Sequence, residues 1–291
     1  MSKVYVLGAT GGVGTQVVKE LLERHISTTI FVRDSIKATS LFGEQENLNV
    51  VQGDYDNVET FKTTITGHER LFILVKDLEN MPKIKVTFAK LAYEAGVKQI
   101  VDISSISVSG PYRENYIAAA HYFSEDGTYK IPNRGNYVAL RPTSFFSNHF
   151  FGDNKTVQYK GIITGHQGAD EKMSWVSTND IAYLAVNIMT EPVEKHLDMV
   201  YNLTSVSMSG NERAATISRA VGKEIKYVQV PFEQQYHTMV EYAHMPHHLV
   251  FGLLAGNNDT CTVNDGLPLL LNRPTETLEE WITANKGAFG A

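Results

Sequence analysis

The chain has 291 residues, 43% of them hydrophobic and 20% charged, ordinary proportions for a globular protein with a substantial core. Its net charge of −6 argues against the basic face that direct nucleic-acid binding requires. The single cysteine, Cys261, excludes an intrachain disulfide and suits a reducing compartment. No apolar run approaches the length of a membrane span, and the chain enters a strand-like segment at once rather than a secretory leader. A soluble, cytoplasmic protein is therefore expected, in which the triplets at Asn154, Asn202 and Asn258 match the glycosylation pattern by chance.

The first element is the apolar run Val4-Tyr5-Val6-Leu7, read as a strand. It leads into Gly8-Ala9-Thr10-Gly11-Gly12-Val13-Gly14, after which Val13, Val17, Val18, Leu21 and Leu22 recur at helical spacing. Strand, glycine turn and helix together form the context in which a glycine fingerprint binds a dinucleotide. One glycine makes the tight turn, one lets the backbone approach a pyrophosphate, and one lets helix pack on strand. The helix N-terminus then offers free N–H groups and the positive end of its dipole.

The second strand, Thr28 to Val32, ends in Arg33, about twenty residues past the glycines, where an acidic residue would select NAD and an arginine accommodates the 2′-phosphate of NADP. NADP(H) is therefore the expected cofactor. Asp34 follows directly and leaves open a carboxylate turned toward the ribose.

Further strands are expected at Leu48–Gln52, Leu71–Val75, Gln99–Ser104 and Tyr137–Arg141, with helical patterns at Val58–Ile65 and Val86–Ala95, the latter closed by Gly96. Short continuous apolar strands alternating with helices indicate an α/β, Rossmann-type doubly wound parallel sheet, whose ligands bind beyond the carboxyl ends of the strands. After about residue 150 the texture becomes mixed, with strand-like Gly161–Ile163 and Lys226–Val230 and helices over Thr178–Met189 and Asn211–Val221. The expected organisation is a dinucleotide-binding domain over 1–150 and a smaller α+β substrate or partner lobe over 151–291, interleaved with the first. His237, His244, His247 and His248 lack a carboxylate or cysteine at ligand spacing, so no metal site is expected.

With these residues laid out, the chain resembles the NmrA-like family of atypical short-chain dehydrogenase/reductases, which includes NADPH-dependent quinone reductases, dye reductases and redox-sensing regulators. The resemblance rests on Gly8 to Gly14, Val32-Arg33-Asp34, Gly53-Asp54-Tyr55-Asp56, Ala95-Gly96-Val97-Lys98, Leu140-Arg141-Pro142 and Tyr227-Val228-Gln229-Val230-Pro231. It implies that Thr10, Gly11, Gly12 and Val13 hold the pyrophosphate and Arg33 the 2′-phosphate. Asp54 and Tyr55 would border the adenine. Leu74, Val75 and Lys76 would pass the ribose and nicotinamide. Thr143, Ser144, Phe145, Phe146 and Asn148 would close over the nicotinamide, with the two phenylalanines as an apolar wall.

The chain departs from the wider superfamily at the proton donor. No Tyr-x-x-x-Lys occurs in it, the pair that protonates an alkoxide after hydride transfer. Ser104 and Ser105 keep the serine position, His121 stands in the tyrosine place and Glu125 in that of lysine. A carboxylate there raises the pKa of a nearby acid. The candidate catalytic residues are thus His121, Ser104 and Ser105, acting on a small quinone-like, conjugated or carbonyl substrate. The alternative is a catalytically silent NADP(H) sensor that regulates a protein partner.

Overall fold

The computed structural model describes residues 3–255, 263 and 266–291; Cys261 and the triplet beginning at Asn258 lie outside the described residues. Strands β1 (Val4–Leu7), β2 (Thr28–Val32), β3 (Leu48–Gln52), β4 (Arg70–Ile73), β5 (Gln99–Ile103) and β6 (Asn136–Pro142) alternate with helices α1 (Gly12–Glu23), α2 (Ser35–Phe42), α3 (Glu59–Thr64), α4 (Met81–Glu94) and α5 (Tyr116–Tyr129). The chain continues through β7 (Ser144–Phe145), α6 (Asp153–Lys160), β8 (Ile162–Gly165), β9 (Lys172–Val176), α7 (Thr178–Thr190), α8 (Val193–His196), β10 (Val200–Leu203), β11 (Val206–Ser209), α9 (Gly210–Val221) and β12 (Lys226–Gln229). Helices α10 (Phe232–His237), α11 (His247–Ala255), α12 (Gly266–Leu271) and α13 (Leu278–Ala284) complete it. Among the described residues no helix is long and apolar enough to cross a membrane.

The main sheet runs β3-β2-β1-β4-β5-β6-β10 with every neighbouring pair parallel. This is the doubly wound order, and it reverses between β1 and β4. Residue alternation along β1 feeds both faces: Val4 and Val6 join one core with Val17, Val18 and Leu21, whereas Tyr5 and Leu7 join the other with Phe61, Phe88 and Ile100. A third core of Phe146, Val157, Ile163, Trp175, Ile217 and Trp281 lies under the smaller sheets β11-β9-β7 and β12-β8. Helix α7 packs Ile181, Leu184 and Ile188 into the first core, and β10 forms the seventh strand of the main sheet.

Element ends depart from the sequence pattern for local reasons. The fourth strand stops at Ile73 rather than Val75: the Leu74 N–H makes a last bond to the Leu7 carbonyl at 3.2 Å, and the chain then leaves the sheet. Helix α4 begins at Met81, earlier than periodicity suggests, since Pro82 falls in its first turn, where a missing N–H costs nothing.

Two glycines set the close approach at the strand reversal. Gly8 adopts φ +82°, and a side chain there would meet the Leu74 carbonyl oxygen at 2.3 Å. A Cβ on Gly14 would lie 2.1 Å from the Gly8 carbonyl oxygen. Gly14→Ala is therefore expected to cost about 1–3 kcal/mol in urea unfolding, as overpacked sites do. Gly12→Ala, with nothing within 4 Å of the added carbon, should stay within about 0.5 kcal/mol of wild type.

Candidate functional site

At the reversal point the loops after β1, β2, β3 and β4 open a cavity of about 500 Å³ at the carboxyl end of the sheet. Its floor is Gly8 to Gly11, and Arg33, Lys37, Asp54, Tyr55, Leu74, Lys76 and Lys83 are among its walls. Helix α1 points its N-terminus into this space. No side chain caps it, whereas α2, α5, α7 and α9 are capped by Asp34, Asn115, Ser177 and Ser209. The first helical bond runs from the Thr15 N–H to the Gly11 carbonyl at 2.8 Å, which leaves the Gly12 and Val13 N–H groups for an outside acceptor.

Four cations line the cavity, Arg33, Lys37, Lys76 and Lys83. All are exposed, and among the described residues none forms an ion pair. Asp34 caps α2, its Oδ1 accepting from the Lys37 backbone N–H at 2.9 Å. Tyr55 stacks on Phe31 at 6.5 Å and meets Phe88 edge-on at 5.4 Å. Burial raises its phenol pKa, against a lowering by Arg33. Asp54 accepts from the Asp56 N–H at 3.1 Å.

The structure thus brings Gly8, Thr10, Gly11, Arg33, Asp54, Tyr55, Leu74 and Lys76 to one cavity. Gly12 is exposed beside it, while Val13 and Gly14 are buried and present only backbone. Val75 is buried in the core instead.

The other candidates lie at the carboxyl ends of β5 and β6. The Ser104 hydroxyl donates to Glu125 Oε1. Glu125 also accepts from Arg141 Nε at 3.0 Å and Nη2 at 2.5 Å. The carboxylate expected to burden a neighbouring acid is therefore matched by a guanidinium, a buried pairing that satisfies both groups. Ser105 caps the short 3₁₀ turn Ile106–Ser109 through the Ser107 N–H. His121 is buried, and its Nδ1 has no partner. Burial, helped by the nearby Lys85 ammonium, holds the imidazole well below its ordinary pKa and so in the neutral form at pH 7.

Thr143 donates both its N–H and its hydroxyl to the Leu203 carbonyl at 3.0 and 3.2 Å, tying β6 to β10. Ser144 is half-buried and Asn148 exposed. The paired phenylalanine wall does not form. Phe145 packs against the first core, and Phe146 is fully buried in the third against Trp281, because neighbouring residues of an extended segment face opposite ways. Of the histidine patch, His237 pairs with Glu241, His247 with Tyr236 and His248 with the Tyr116 ring. Among the described residues no group of three metal-ligating side chains converges.

Sequence reasoning missed Lys37, Lys83 and Lys85. Lys37 stands in the first turn of α2, just past the cap that follows Arg33, so the helix start brings it to the same cavity. Lys85 sits in the buried stripe of α4 with Met81, Phe88, Ala89 and Ala92, so a lysine at a core position was the available signal.

The chain matches the NmrA-like family over residues 1–258 and belongs to it. It is 26% identical over 294 residues to an NAD(P)H azoreductase from Xenophilus azovorans, with 99% of each chain covered. Its fold matches an NADPH-dependent quinone oxidoreductase from Escherichia coli, solved with NADPH, at TM-score 0.79 and 21% identity over 97% of this chain and 99% of that one. It also matches NmrA, a negative transcriptional regulator solved with NADP, at TM-score 0.77 and 17% identity over 100% and 98% of the two chains.

Because folded His121 binds its proton more weakly than the unfolded ring does, its contribution to stability is present above about pH 6.5 and lost as pH falls below it. In urea titrations carried downward from about pH 6.5, His121→Gln should flatten the loss of stability that accompanies falling pH. An unchanged slope would show that the folded ring titrates as a solvated one.

Proposed function

We propose that this protein is an NADPH-dependent reductase of conjugated, quinone-like acceptors. The observation that carries the cofactor half is the cavity itself: an uncapped helix N-terminus beside four unpaired cations. The residues fit a dinucleotide phosphate. The Gly12 and Val13 N–H groups and Thr10 hold the pyrophosphate, where the helix dipole favours negative charge. Arg33 and Lys37 take the 2′-phosphate, beside the Asp34 carboxylate that caps α2. Tyr55 borders the adenine. Lys76, whose terminal carbon would lie 3.2 Å from a Cβ at Gly11, reaches across the glycine turn.

When bound, the nicotinamide supplies a hydride. What the chain adds at the ends of β5 and β6 is positioning without a strong acid. The Ser104 hydroxyl donates to Glu125, Glu125 is matched by Arg141, and His121 is uncharged. An isolated ketone needs its alkoxide protonated as it forms, and this site offers no group suited to that. A quinone or an extended conjugated electrophile spreads the incoming charge over its own framework and takes its proton later from water. The acceptor class follows from that difference. Ser105, Ser144, Phe145 and Asn148 would border the same region.

A regulator is the second reading, favoured by the missing tyrosine–lysine pair and by the likeness to NmrA. NADPH consumption against quinones, azo and triphenylmethane dyes, enals and simple ketones separates the two. Turnover with the conjugated acceptors and none with ketones is expected. Tight NADP binding by calorimetry with no turnover on any acceptor would leave the sensor. On the cofactor side, Arg33→Ala should weaken NADPH binding about 10- to 100-fold and Lys37→Ala about tenfold, the cost of a charge-assisted contact. NADH affinity should hold within about twofold; equal losses for the two cofactors would remove the 2′-phosphate assignment.

A further inference from the structure

Lys85 lies outside the cavity, its side chain buried in α4 among apolar neighbours. Its ammonium lies 2.6 Å from Asp102 Oδ1 and donates to the Ile103 carbonyl at 2.9 Å. Asp102 is fully buried, and its second oxygen accepts from the Tyr137 hydroxyl at 2.5 Å. One sealed network therefore joins α4, β5 and β6. Well-packed apolar side chains of similar volume would often serve stability as well or better, so a buried ion pair calls for a role beyond stability.

Its position suggests that role. The Ile103 carbonyl held by Lys85 belongs to the peptide that leads into Ser104. The Ser104 N–H donates to the Leu140 carbonyl at 2.7 Å, and its hydroxyl to Glu125. Ser104 is thus fixed from α4, β6 and α5 at once. His121 rides on α5, one turn before Glu125, and α5 packs along α4.

We propose that Lys85 is a positioning residue of the reducing centre: paired with Asp102 and bonded to the Ile103 carbonyl, it fixes the carboxyl end of β5 that presents Ser104 and places its ammonium near His121. This rests on the reading that the reducible acceptor binds at this end of the sheet. The other charged or titratable groups here are Asp102 from β5, Tyr137 and Arg141 from β6, and Glu125 on α5 itself. Each is engaged with its own partner, and Lys85 is the charge that acts on the imidazole, in addition to burial. The effect is to keep His121 an uncharged hydrogen-bonding group, so that no proton is stored beside the incoming hydride.

The test uses the full chain carrying Lys85→Met together with Asp102→Asn. This removes both charges, keeps the volumes and leaves Tyr137 an acceptor. Lys85→Gln serves as a second variant that retains a donor if the first folds poorly. NMR titration of the imidazole, assigned through His121→Gln, should move upward most clearly in Lys85→Gln, where the like charge is lost and the Asp102 carboxylate stays, and less in the double variant, which loses both charges. With a conjugated acceptor, kcat of the double variant should fall about 10- to 100-fold as Ser104 loses its fixed position, while the NADPH dissociation constant stays within about twofold. An unmoved His121 titration in both variants, or an unchanged kcat in a double variant that folds, overturns the proposal. Absence of turnover in the wild-type protein would instead overturn the reductase reading, and the NMR shift would still report on Lys85.

Discussion

The site depends on how closely the backbone approaches itself where the strand order reverses. Gly8 and Gly14 let the first turn of α1 sit against the end of β1, and Gly8 lets that turn lie under Leu74 at the end of β4. Any side chain at either position would push α1 away and remove its N-terminus from the crevice. Because the turn is so tight, the free N–H groups of α1 are held at the mouth of the sheet. The loops from β2, β3 and β4 then need to supply only cations and an aromatic wall. Arg33, Lys37, Tyr55 and Lys76 do so from three different loops and the start of one helix.

The neighbouring ends of β5 and β6 are organised by buried charge. Lys85–Asp102 with Tyr137, and Arg141–Glu125 with Ser104, are two networks that stitch α4, α5, β5 and β6 together below the strand ends. Every strong acid or base in that region has a partner, and the one imidazole without a partner at Nδ1, His121, is neutral. On the proposed reading, such a centre would orient an acceptor and offer little proton transfer. This is a reasonable division of labour where the acceptor stabilises the charge it receives.

Much of this was legible in the sequence, unevenly. The six strands that alternate with helices, the glycine turn and Arg33 are local patterns, and each appears where its spacing places it. The cap made by Asp34 was not separable in sequence from a ribose contact, because a carboxylate after a strand can do either; the structure shows the cap, made through Oδ1. Glu125 read as an isolated negative charge, since its partner Arg141 is on another strand and pairing across elements leaves no trace in spacing. Phe146 carried the right chemistry for a pocket wall but belongs to a core assembled from residues far along the chain, Trp281 among them. Seventh strand β10 was also invisible, being short and only half-buried at the edge of the sheet.

The most direct test of the account follows the hydride itself. NADPH deuterated at one face of nicotinamide C4, and its counterpart labelled at the other, would be mixed with the protein and a triphenylmethane dye or enal in single-turnover experiments. A primary isotope effect is expected with one labelled form only, with that label on carbon in the product. Loss of label from both forms alike, or no oxidation of NADPH by a protein that binds it tightly, would contradict it.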